Sequence, residues 1–270
     1  MTEVADASTA TDAAAEPVVE FEITNQVAYV TMRSRPHNFL GIALFEELIG
    51  AMHRAQAEGA RAVVLRSGLR NFCAGADIAL FESHERGVAP DIDVNRLLEA
   101  FEELPLPIVA AVKGVCVGGG FEIALACDMI IAAESAKIGA VEATLGINPL
   151  MGAMQRIAQR AGSARAKEMA LLARRYDPHT LERWNIINRV VPDDDLESET
   201  RSLAEELATG PTLAHASSKA IIKVALDQGT AAADAAMVEL QADLWRSNDL
   251  TEALTSLQLS GPGKARFQGN

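Results

Sequence analysis

Cysteine is scarce in this 270-residue chain. Cys73, Cys116 and Cys127 form no CxxC pair, and their odd number speaks for a reducing compartment over a disulfide framework. Aromatic residues make up only 4% of the chain, too few for a base-stacking platform. Positive charge is short as well. Lys and Arg number 24 against 37 Asp and Glu, and the resulting net charge of −13 opposes phosphate-driven binding of nucleic acid. No apolar run is long enough to span a bilayer. The opening MTEVADASTATDAAAEP lacks the basic and apolar regions of a signal peptide. These absences lead to the expectation of a cytoplasmic protein without nucleic-acid or membrane partners. Motifs for several chemistries are missing too. There is no GxSxG to place a serine nucleophile and neither GxGxxG nor a Lys-Ser/Thr phosphate loop. His37, His53, His84, His179 and His215 share no metal-ligand spacing, so no metal site is expected.

The acidity that is present is unevenly placed. Residues 1–20 carry Glu3, Asp6, Asp12, Glu16 and Glu20 with no Lys or Arg. Their Ala, Thr and Asp content shows no period, which predicts a disordered leader over 1–17. From Val18 the pattern becomes regular. Phe21–Ile23 and Val27–Met32 read as strands joined at Asn25-Gln26, and Leu44–Met52 has the spacing of a helix. Ala62–Arg66, Ile108–Val112, Met129–Ala133 and Arg189–Val191 are short apolar runs that read as strands. Leu97–Leu104 reads as a helix stopped by Pro105 and Pro107. Strands alternating with helices predict an α/β core over 18–195. Only amphipathic helical segments follow, such as Leu203–Leu207 and Ala231–Trp245, predicting a helical region over 196–270.

Three segments have the composition of a reactive site. Gly118-Gly119-Gly120 lies between a strand and a helix, where glycines expose backbone N–H groups to a ligand and the helix end favours negative charge. A tight turn with close helix–strand packing is the alternative. Glu122 stands just inside this otherwise apolar helix. A carboxylate buried there is costly and shifts toward its neutral form, a property common at active sites; a structural ion pair is the other reading. Glu142 lies in a second apolar, glycine-punctuated stretch, and taken alone it reads as a helix-start carboxylate. In Asn71–Ile78, Gly75 again opens the backbone and Asp77 is placed to cap a following helix. Cys73 has no neighbouring His in sequence to activate it as a thiolate.

Taken together, FCAGADI, GGGFEIALACDMIIAAESAKIGAVEATLGI, Gln155-Arg156 and the stretch from Trp184 to Pro192 resemble the crotonase, or enoyl-CoA hydratase/isomerase, superfamily. The resemblance covers about residues 18–270. It implies a spiral of ββα units with a C-terminal helical region that mediates trimer formation, as a homotrimer or a dimer of trimers. It also implies an acyl-CoA thioester substrate and no permanently bound cofactor. The thioester oxygen would sit on the backbone N–H groups of Ala76 and Gly119, an oxyanion hole. Glu122 and Glu142 match the two carboxylates of the hydratase branch, one activating water for attack at C3 and the other supplying the proton at C2. Arg33 and Arg35, in an element similar to RPxxN, fall in the family's CoA-contacting regions. So do Ala74, Asp77, Ile78 and Gly118, and so do Lys264 and Phe267 near the C-terminus.

The chain also departs from the family pattern. Val141 replaces a proline before Glu142, and Leu150, Met151 and Met154 stand where small residues are usual. Met is an adaptable filler, so simple repacking is one outcome and a narrowed acyl pocket another. The expected reaction is hydration of a trans-2-enoyl-CoA. A double-bond isomerase or another crotonase-type lyase or hydrolase remains as an alternative, and so does an inactive acyl-CoA-binding relative.

Overall fold

A computed structural model describes residues 17–82 and 92–270. His84 and, apart from Pro17, the expected leader over 1–17 lie outside the described residues. Strands β1 (Val19–Thr24) and β2 (Val27–Met32) form an antiparallel hairpin. Asn25 and Gln26 both have positive φ, the geometry that matches a two-residue turn to strand twist. Helix α1 (Ile42–Ala57) leads to β3 (Ala62–Ser67), and α2 (Ala79–Glu82) and α3 (Val94–Glu102) lead to β4 (Ile108–Val112). The short β5 (Val115–Val117) turns into α4 (Gly119–Ala126), followed by β6 (Met129–Ala133) and β7 (Lys137–Gly139). Helices α5 (Ala153–Ala161), α6 (Ser163–Leu172) and α7 (Pro178–Arg183) precede β8 (Arg189–Val191). Helices α8 (Leu196–Thr209), α9 (Thr212–Gln228), α10 (Thr230–Leu240) and α11 (Asn248–Ser260) follow, and residues 261–270 of the expected helical region form neither helix nor strand.

The main sheet has the order β1-β2-β3-β4-β6-β8, parallel from β2 onward. Both of its faces are covered, which is why its strands read as continuous apolar runs. Ala28, Val30, Val63, Leu65, Ala110 and Val112 face the principal core with α1, α3 and α4. Val64, Val109 and Ile131 face the other way, onto Leu196, Ala204 and Ala208 of α8. Helix α8 therefore stays with the sheet, although no strand follows Val191 among the described residues. None of the described helices is long and apolar enough to cross a membrane.

A second layer positions the site. Strands β5 and β7 pair in parallel, and single bridges extend them from Cys116 to Cys73, from Ala76 to Leu40 and from Ile138 to Tyr176. Loops from successive units thus stack beside one another, each contributing only two or three residues. Periodicity cannot reveal strands that short, and neither β5 nor β7 is among the predicted elements.

Candidate active site

The site is built where this second layer meets the start of α4. Leu40 N–H donates to Gly75 O and Asp77 N–H to Leu40 O, which fixes the backbone on both sides of Ala76. Among the described residues, neither the Ala76 nor the Gly119 amide donates to a protein acceptor. The two lie close together, because a Cβ built on Gly119 would sit 3.7 Å from the Ala76 nitrogen. Asn38 anchors the loop from beneath. Fully buried, its Nδ2 donates to Ser67 Oγ at 2.8 Å, Phe72 O at 2.9 Å and Asn71 O at 3.2 Å.

The three glycines have separate reasons. Gly118 has φ +55, a backbone that favours glycine, and its own amide bonds Gly139 O. Gly120 answers to packing, since a Cβ there would fall 2.5 Å from both Cβ and O of Cys73. Gly119 sits beside the Ala76 nitrogen, and a Cβ there would meet Leu40 Cδ2 at 3.3 Å. Turn and packing account for the glycines as such, while Gly119 adds an amide that bonds no protein acceptor among the described residues.

Glu122 is 2% exposed. Its Oε1 accepts from Met151 N–H at 2.7 Å and Ala153 N–H at 3.1 Å, so this carboxylate caps the start of α5. One oxygen is thereby pinned and the other left for chemistry. Burial pushes the Glu122 carboxyl up to about 7, and repulsion from Glu142 adds to the rise. The Ala153 and Met151 amides and the Arg156 charge pull the other way. Glu142 opens a one-turn 3-10 helix, Glu142–Leu145, and is also buried. Neither of its side-chain oxygens has a partner among the described residues. Burial raises its carboxyl above the ordinary 4.5. Its Oε1 would lie 3.5 Å from a Cβ on Gly118, which sets it beside the glycine loop. The fold thus brings Glu122, Glu142, Ala76 and Gly119 into one place. A neutral-leaning pair of carboxylates beside two free amides can hold a water and a developing oxyanion together.

The other expected site residues divide. Ala74 and Gly118 belong to the two loops. Asp77 Oδ1 accepts from Ala79 N–H at 3.0 Å and so caps α2, while Ile78 is 73% exposed at the rim. Arg33 is exposed, paired with Glu20 and bonded to Gly68 O, and Arg35 is exposed. Phe267 is not brought to the pair within this chain. Phe267 O accepts from Arg61, which precedes β3, whereas Ala76 lies beyond the far end of that strand. Cys73 is buried and its thiol is pushed up to about 12 by burial, which leaves it inert.

Sequence reading placed Asn38 and Arg156 within motifs without a supporting role, and Arg160 was missed. Arg156 pairs with Glu102 and bonds Gly152 O, holding the turn into α5. Arg160 donates to Leu125 O and Cys127 O at 3.0 Å each, closing the carboxyl end of the helix that carries Glu122. For Arg160, the i,i+4 spacing from Arg156 on α5 was the available signal.

Comparison with known proteins bears on this arrangement. The family model described as "Enoyl-CoA hydratase/isomerase" matches residues 22–259. A Rhodobacter capsulatus protein named "Probable enoyl-CoA hydratase" is 34% identical over 245 residues, 87% of this chain and 93% of that protein. The "Carnitinyl-CoA dehydratase" of Proteus mirabilis is 39% identical over 167 residues, 60% of this chain and 62% of that one. The crystal structure of enoyl-CoA hydratase from Bacillus anthracis superposes with a TM-score of 0.84 at 29% identity. That match covers 94% of this chain and 100% of that one.

Proposed function

From its membership of the enoyl-CoA hydratase/isomerase family, to which this hydratase-type enzyme belongs, we propose that the chain hydrates a trans-2-enoyl-CoA thioester to the 3-hydroxyacyl-CoA. The observation that carries this reading is the buried Glu122–Glu142 pair beside the Ala76 and Gly119 amides, which have no protein acceptor among the described residues. The thioester oxygen accepts from both amides, each worth about 3 kcal/mol to the transition state. A water held between the carboxylates adds its hydroxyl to C3 and passes a proton to Glu122. The C2=C3 electron pair moves toward the thioester oxygen and returns as C2 takes a proton from Glu142. Both additions occur on the face that the carboxylates line, so they are syn. Proton transfer from Glu122 back to Glu142 restores the starting form.

Arg33 and Arg35 are proposed to meet the CoA phosphates. Lys264 and Phe267 would need a neighbouring copy in a homotrimer to do so. Double-bond isomerisation needs only one carboxylate, so the retained pair favours hydration. Glu122→Gln and Glu142→Gln test the proposal. Each should lower the loss of enoyl absorbance with crotonyl-CoA by at least ~10³-fold while acyl-CoA binding persists. Full turnover in either variant removes the two-carboxylate mechanism.

A further inference from the structure

Met151 stands in the site without a part in the steps above. It is 5% exposed, and its backbone N–H holds Glu122 Oε1. Its side chain turns into the principal core, where Leu40 also packs. A Cβ built on Gly119 would find Leu40 Cδ2 at 3.3 Å, Ala76 N at 3.7 Å and Met151 Sδ at 3.9 Å. The thioether and the Leu40 methyl therefore wall the space beside the two oxyanion donors. Leu150 and Leu145, close to Met151 in the chain, and Ile78, two residues past Ala76, are instead 47%, 71% and 73% exposed, apolar surface open to an acyl tail.

We propose that Met151, with Leu40, is a specificity-determining residue that restricts the enzyme to acyl-CoA thioesters unbranched at C2. A carbonyl oxygen seated on Ala76 and Gly119 places C2 one bond from the carbonyl carbon, within the space that this wall limits. An extra methyl there must displace a packed side chain, and packed interiors yield poorly. The wall stands at the thioester end, beside the Ala76 and Gly119 amides, so it should discriminate branching at C2 and not chain length. The inference rests on the thioester reading of the Ala76–Gly119 pair, and it does not depend on the hydration step.

The test compares binding of saturated butanoyl-CoA, 2-methylbutanoyl-CoA and octanoyl-CoA by calorimetry, alongside turnover of the corresponding 2-enoyl esters. Wild type should bind the 2-methyl ester at least ~10-fold more weakly than the straight C4 ester, the scale of one methyl in a tight pocket. Met151→Ala keeps the backbone donor to Glu122 and should close most of that gap, with the C4-to-C8 ratio unchanged. Met151→Leu refills the volume and should restore the discrimination, which separates wall from fold. Equal binding of the branched and straight esters by wild type overturns the proposal, and so does an unchanged ratio in Met151→Ala or no binding of any ester. Ratios that move as expected without hydration of any enoyl ester would uphold the wall and remove the hydratase reading instead.

Discussion

Replacing Glu122 by Gln should stabilise the protein above neutral pH while it disables the proposed reaction. The carboxyl of Glu122 is carried by burial from its ordinary 4.5 to about 7. The folded chain therefore keeps a proton that the unfolded chain has lost across that interval. A raised folded-state value contributes stability that is fully present below about pH 4.5 and is lost as pH rises through about 7. At about 1.36 kcal/mol per pH unit the interval corresponds to ~3 kcal/mol. Gln does not ionise, yet its Oε1 can still accept from the Met151 and Ala153 amides. Urea unfolding of both proteins at about pH 4 and about pH 8.5 reads the difference directly. The two should be nearly equal in acid, and the variant should be more stable by up to ~3 kcal/mol in base. A gap that is the same at both pH values would refute the reasoning. So would a variant less stable than wild type in base, which would mean that the ionised carboxylate stabilises the fold.

Two further outcomes follow from the same geometry. The active form of the pair holds one proton, carried by Glu142 at the start of the steps above, so kcat/KM should fall in base as the pair loses that proton and fall again in acid as both carboxyls, each raised by burial, become protonated; a rate that climbs through neutrality to an alkaline plateau would contradict this. Asn38→Ala removes the buried Nδ2 donor that Ser67 Oγ, Asn71 O and Phe72 O share beneath the Ala76 loop. It should cost about 2–4 kcal/mol of stability in urea and lower kcat with it, and an unchanged midpoint would deny Asn38 this anchoring part.

Much of the architecture was legible along the chain. The apolar runs at β2, β3, β4 and β6 read correctly because both sheet faces are covered and nearly every residue is driven inward. The turn at Asn25-Gln26 and the cap at Asp77 are local chemistry, complete within a few residues. Glu122 could be picked out because an ionisable group in an otherwise apolar helix has few places to go. Glu142 could not be told from an ordinary helix-start carboxylate, since nothing near it in sequence supplies its burial.

What the sequence by itself determined is the alternation of strand and helix, the open backbone at Gly75 and Gly118–Gly120, and the oddity of Glu122. Only the tertiary structure decided that these belong together. It stacks three-residue strands into a second layer, sets the Ala76 and Gly119 amides side by side, and holds Glu122 through amides 29 and 31 residues away. It also distinguishes three adjacent glycines by what each one faces. The physical reason is range. Propensity, turns and caps act over a few residues, whereas desolvation, repulsion between carboxylates and the wall at Met151 arise only once distant segments are packed against one another.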